Sequence, residues 1–147
     1  MREKSPSTTL AAILSVPRAN PDALAAYCPD LEQWPNTWMY EARDLAPGRH
    51  VVELFRPFLR HLWGMNLSRK TLRKHRDNLW LLGGEIISDL HKNPQLRKRP
   101  MAQVVSAVID DEGGPLISNS TSEDEQRSFD STCRKFYRFL KDGTHGD

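Results

Sequence analysis

The stretch FRPFLRHLWGMNLSRKTLRKHRDNLWLLGGEIISDLHK (residues 55–92) decides the fold of this 147-residue chain. Its apolar residues recur at three- and four-residue spacing, which marks helices with one buried side rather than strands. Val51, Val52, Leu54, Phe55, Phe58, Leu59, Leu62 and Trp63 form a wide apolar face that closes at Gly64-Met65-Asn66. Pro57 sits inside this run. Having no N–H for the preceding turn, it predicts a kink there, or a helix that begins near Pro57 after an extended lead-in. Ser68 suits an N-cap, because its hydroxyl can accept an orphan N–H of the next first turn. From Arg69, the residues Leu72, Leu79, Leu82, Ile86 and Leu90 carry a second helix to Asn93-Pro94, widened by Trp80, Leu81 and Ile87. Glycine in mid-helix costs roughly 1 kcal/mol relative to alanine. Gly83-Gly84 therefore predicts close approach of another helix, or a break between two shorter ones.

Working outward, Pro100 suits the first position of a helix through Met101, Val104, Val105, Val108 and Ile109. Asp110-Asp111-Glu112 and Gly113-Gly114-Pro115 end it. Ser122 and Glu125 form a capping box for a last helix with Phe129, Cys133, Phe136, Tyr137 and Leu140 on one side, fraying at Gly143. Towards the N-terminus, Leu31 to Gly48 holds Trp34, Trp38, Met39, Tyr40 and Leu45 among prolines. It reads as an irregular segment clamped onto the core by its tryptophans; an exposed aromatic platform is the functional alternative. Pro21-Asp22 opens a short helix through Leu24 and Tyr27, and the Ser/Thr/Pro-rich residues 1–20 read as a flexible arm. The expected architecture is all-α: a compact bundle of four to five helices over residues 21–142, with a disordered tail at 143–147.

Composition agrees with one domain, with 38% hydrophobic and 27% charged residues. No stretch approaches a membrane span. The apolar patch from Leu10 to Val16 is too short for a signal peptide. Cys28 and Cys133 form no pattern, so a reducing, cytoplasmic setting is expected. The net charge of +2 hides a strong asymmetry: residues 49–100 hold 12 Lys/Arg against 4 Asp/Glu, and residues 101–131 hold 1 against 7. Such a distribution concerns partners rather than fold.

At 100° per residue, Arg69, Lys70, Arg73, Lys74 and Arg76 fall between about −20° and +140°, and Leu72, Leu79, Leu82 and Ile86 at about 220–300°. The basic residues thus form a face opposite the core, with His75 at its flank. With the Ser68 and Thr71 hydroxyls at the helix start, this face suits phosphate oxygens. The competing reading is a solubilising face that balances the acidic 110–125 connector. Lys98 and Arg99 extend the basic set beyond the helix exit. On the last helix, Arg127, Arg134, Arg138 and Lys141 gain meaning only if they adjoin it. Catalytic patterns are missing: there is no G-x-G-x-x-G, G-x-x-x-x-G-K-[ST], H-E-x-x-H or C-x-x-C. Cys133 lies on an apolar helix side, and Asp110-Asp111-Glu112 read as a helix end. No catalysis, metal, cofactor or small-molecule ligand is expected.

The segment FRPFLRHLWGMNLSRKTLRKHRDNLWLL (55–82), followed by FDSTCRKFYRFL (129–140), resembles the N-terminal core-binding domain of tyrosine recombinases of the phage-integrase type. The likeness is carried by Phe55, Phe58, Leu59 and Leu62, by Leu67, Ser68, Thr71 and Leu79, and by Arg134, Phe136, Tyr137, Phe139 and Leu140. It implies a helical bundle that grips one side of double-stranded DNA, with Arg69, Lys70, Arg73 and Lys74 near the backbone. The chain departs from the family in holding no H-x-x-R and no catalytic domain, so the expectation is a stand-alone, non-catalytic bacterial DNA-binding module, associated with mobile elements. An interaction protein that uses Trp34, Trp38 and the arm to meet a protein partner is the alternative.

Overall fold

The computed structural model describes residues 21–117 and 121–146, so the arm expected at 1–20 lies outside it, as does Asp147. Helix α1 is Pro21–Tyr27, α2 Trp34–Trp38, α3 Leu45–Gly64, α4 Arg69–Lys92, α5 Met101–Ala107 and α6 Glu123–Gly146. Three 3-10 turns, Leu31–Gln33, Ala42–Asp44 and Pro94–Lys98, join them. Among the described residues there is no strand, only an isolated bridge between Asp110 and Gly113. The fold is an all-α bundle.

The four residues between α3 and α4 force the two helices to fold back on one another, and α6 covers the seam. Phe55, Phe58, Leu59 and Leu62 of α3 meet Leu79, Leu82, Ile86 and Leu90 of α4 and Phe129 and Phe136 of α6, all fully buried. The Phe136 ring lies 5.4 Å from Phe55 and 5.1 Å from Phe58. Burying each such side chain stabilises the fold by about 1.5–3 kcal/mol.

Two expectations about α3 are corrected. It starts at Leu45, inside the segment expected to be irregular, because Pro47 falls in the first turn, where its missing N–H has no partner to lose. It also runs through Pro57, so the helix does not begin there. Pro57 and Glu53, whose carbonyl loses its partner, are both exposed, so water can replace the missing bond.

The glycine pair in α4 marks a close approach. The Trp38 indole lies across Gly83, where an added Cβ would fall 2.1 Å from the ring, and α4 continues unbroken. The Trp38 N–H donates to the Trp80 carbonyl at 2.9 Å. Trp34 and Trp38 are buried, so the exposed platform proposed for them is not formed. Trp63 and Trp80, read as part of the apolar stripes, are instead 36% and 39% exposed. Trp63 sits at the edge of its helical face and stacks on Tyr27 at 5.5 Å; Trp80 falls at about 20° on the wheel of α4, between Arg69 and Arg73, and its N–H donates to Thr37 Oγ1 at 2.9 Å.

The segment Gly113-Gly114 lies against α6. A Cβ on Gly114 would fall 2.6 Å from Cys133 Sγ, and Gly113 has φ +142°. Asp130 Oδ1 accepts from the Gly114 N–H at 3.1 Å. The capping box forms as expected: the Glu125 N–H donates to Ser122 Oγ at 3.1 Å, and the Ser122 N–H donates to Glu125 Oε1 at 3.0 Å. The backbone of α6 continues to Gly146, past the expected stop at Gly143. Cys133 is buried, and burial pushes its thiol up to about 12, which leaves it without nucleophilic character near neutrality.

Candidate nucleic-acid interface

The interface begins at the α4 cap. The Thr71 N–H donates to Ser68 Oγ at 3.1 Å, and the two hydroxyls lie 3.0 Å apart. Ser68 therefore fixes the direction in which α4 sets out. That direction throws Arg69, Lys70, Arg73 and Lys74 outwards: all four are exposed, and none has an ion-pair partner among the described residues.

Several arginines elsewhere are paired. Arg56 is held by Glu32 at 2.9 Å and Glu53 at 2.8 Å, Arg43 by Glu41 at 3.0 Å, and Arg97 by the fully buried Asp44. Among the described residues Arg49, Arg99 and Arg138 are also exposed without an ion pair, but only the start of α4 gathers four such cations within two turns. Cations left so are available to an external polyanion.

The remaining expected residues divide. Arg76 is half-buried: its Nε donates to Asp77 Oδ1 at 3.1 Å and an Nη donates to the Tyr27 carbonyl at 3.2 Å. Part of its donor set is thus spent on the fold. Lys74 shares a groove with Asp124 and Glu125, so one flank of the basic face borders acid. Lys98 and Arg99 are exposed but lie beyond the far end of α4, roughly 25–30 Å along its axis from Lys74. The structure does not bring them to the other five cations.

His75, expected at the flank, is buried. Its Nδ1 is 2.7 Å from Thr132 Oγ1, Asn78 Nδ2 donates to the same oxygen at 2.9 Å, and Nε2 has no partner. Burial holds the imidazole below its ordinary range, and Lys135 and Lys74 push it further down. That influence puts the exposed Lys135 of α6 within electrostatic reach of His75; the sequence pattern of α6 did not single it out.

Two grooves lie between α4 and the α1–α2 side. One, of about 390 Å³, is lined by Tyr27, Trp63, Arg69, Leu72, Arg73 and Arg76. The other, of about 550 Å³, is lined by Pro29, Asp30, Trp34, Arg76, Asp77, Trp80 and Leu81. Arg76 belongs to both. Trp63 and Trp80 were counted with the apolar stripes in the sequence; Trp63's place at the rim of its stripe and Trp80's at about 20°, among the basic residues, were the signals that could have placed them here.

Elsewhere, Glu41, Asp44 and His91 bring ligand-type atoms within 4.8 Å of one another. The carboxylate of Asp44 is already occupied by Arg97 and by the N–H groups of Tyr40 at 2.8 Å and Glu41 at 3.1 Å. A guanidinium thus stands where a cation would bind, and the cluster serves to anchor the start of α3. No helix among the described residues is long and apolar enough to cross a membrane. Comparisons with protein-family models, with curated proteins and with solved structures find no match to this chain.

Proposed function

We propose that this chain is a non-catalytic DNA-binding module of the recombinase core-binding type, which meets phosphates through the first two turns of α4. The observation that carries the reading is a cluster: Arg69, Lys70, Arg73 and Lys74 stand within two turns of one helix, exposed and without ion pairs among the described residues. Arginine and lysine on an exposed helix face release counterions when they meet a polyanion, which makes affinity steeply salt-dependent.

Anisotropy of a labelled duplex, titrated over a salt series, tests this. The logarithm of the binding constant should fall linearly with the logarithm of salt, by about 0.9 per phosphate neutralised. Replacing Arg69, Lys70, Arg73 and Lys74 together by glutamine should lower both affinity and slope while leaving the circular dichroism spectrum unchanged. Replacing Lys98 and Arg99 should change the slope less, since they lie at the other end of α4. Negligible binding at about 50 mM salt would reject the proposal and favour a protein-binding role.

A further inference from the structure

Beside the basic face, the flank of α4 that looks towards α1 and α2 is divided by Arg76, whose bond to the Tyr27 carbonyl crosses it. The two sides of that divide differ in chemistry. On one side Arg69 and Arg73 open onto a groove of about 390 Å³, and no described carboxylate lines it. On the other, the half-exposed Trp80 ring lines a groove of about 550 Å³ together with Asp77 and Asp30. Arg73 and Trp80 are two turns apart on one helix, about 10 Å along its axis.

A phosphate suits the first groove better than the second, where Asp30 and Asp77 stand beside Arg76. The second offers a flat apolar ring, with carboxylates that can accept hydrogen bonds from exocyclic amino groups. Bases paired within a duplex have their faces stacked and cannot use the ring, although their exocyclic amino groups still offer a hydrogen in the major groove. Bases of a single strand can use both, and the pairing of a cationic track with aromatic rings is how proteins hold such strands.

We infer that the flank between Trp63 and Trp80 is a binding groove for single-stranded nucleic acid, with phosphates at Arg69 and Arg73 and an unpaired base against Trp80. The inference rests on the proposal that this face meets nucleic-acid phosphates, and it names the form of strand that fits best.

The test compares, at one salt concentration, a short single strand of mixed sequence, a blunt duplex of equal length, and a single strand of equal charge built from abasic residues. The mixed-sequence strand should bind at least about tenfold more tightly than the abasic strand, as base stacking on an aromatic ring requires. It should also bind more tightly than the duplex. Trp80→Leu should weaken the mixed-sequence strand by about five- to a hundredfold and leave the duplex unchanged. The abasic comparison uses the unaltered chain, so it decides even if that variant fails to fold. Equal binding of the abasic and mixed-sequence strands would overturn the inference, and so would tighter binding of the duplex. Neither result would touch the proposal of phosphate contact. Binding to none of the three would overturn both.

Discussion

At the scale of single residues, Gly83 and Gly84 are neighbours with opposite demands. A methyl group on Gly83 would collide with the Trp38 ring, with its three nearest atoms at 2.1 to 2.6 Å, whereas on Gly84 the nearest atom is at 3.5 Å. Gly83→Ala should therefore destabilise the chain by about 1–3 kcal/mol through overpacking. Gly84→Ala should stabilise it by up to about 1 kcal/mol through helix propensity. Urea midpoints of the two variants check the sign of each. His75 makes a second prediction. Its folded pKa lies below its ordinary value, so the unfolded chain takes up its proton first as acid is added. The stability that comes from neutral His75 is complete above about pH 6.5 and is lost as the pH falls through the depressed folded value. In His75→Asn, which titrates in neither state, the melting temperature should depend less on pH below 6.5. A variant as steep as the parent would show that other groups carry the effect.

At the scale of elements, the bond between Asp44 and Arg97 ties the start of α3 to the turn after α4, with the carboxylate fully buried. Burial pushes Asp44 up, but the hydrogen bond from Arg97 and those from the Tyr40 and Glu41 N–H groups outweigh it and hold the carboxyl below its usual range. Asp44→Ala would leave Arg97 half-buried with only Glu41, 4.0 Å away, and a loss of up to about 3–5 kcal/mol is expected in chemical denaturation. Ser122→Ala should cost only about 1 kcal/mol, since it removes one exposed cap. The two differ in how well the sequence disclosed them. The cap on α6 was readable because Ser122 and Glu125 are three residues apart. The joint between Asp44 and Arg97 was not, because 53 residues separate its partners and no local period connects them. The start of α3 was missed for a related reason: Pro47 looks like a helix breaker until its first-turn position is known.

At the scale of the whole molecule, the all-α architecture was legible because every long helix carries a continuous apolar stripe, and amphipathic helices must bury those stripes against one another. The solvent-facing basic start of α4 was legible too, since a helical wheel places Arg69, Lys70, Arg73 and Lys74 together. What the wheel could not supply was the competition among charges. Whether a guanidinium is free depends on which carboxylate the fold brings to it, and so Arg76, with the same periodicity, ends up half-buried against Tyr27. Trp63, at the rim of its stripe, lies where a few degrees of rotation decide between core and water, whereas Trp80 falls on the wheel at about 20°, between Arg69 and Arg73, and its exposure was legible. On this scale the prediction is electrostatic. Glutamine at both Asp124 and Glu125 should raise affinity for duplex DNA and increase the salt slope, because it lifts repulsion from the flank that Lys74 shares with them.

That shared flank has a geometric outcome. With acid along one bank of α4 and uncompensated guanidinium groups along the other, the field across the helix is lopsided. A long polyanion drifting near the protein is turned, like a needle in a compass, before any atom touches. On the proposed reading, it would settle near Tyr27, Arg69 and Arg73 and away from the first turn of α6. The order in which the bundle stacks its helices therefore also chooses the heading from which a charged strand arrives.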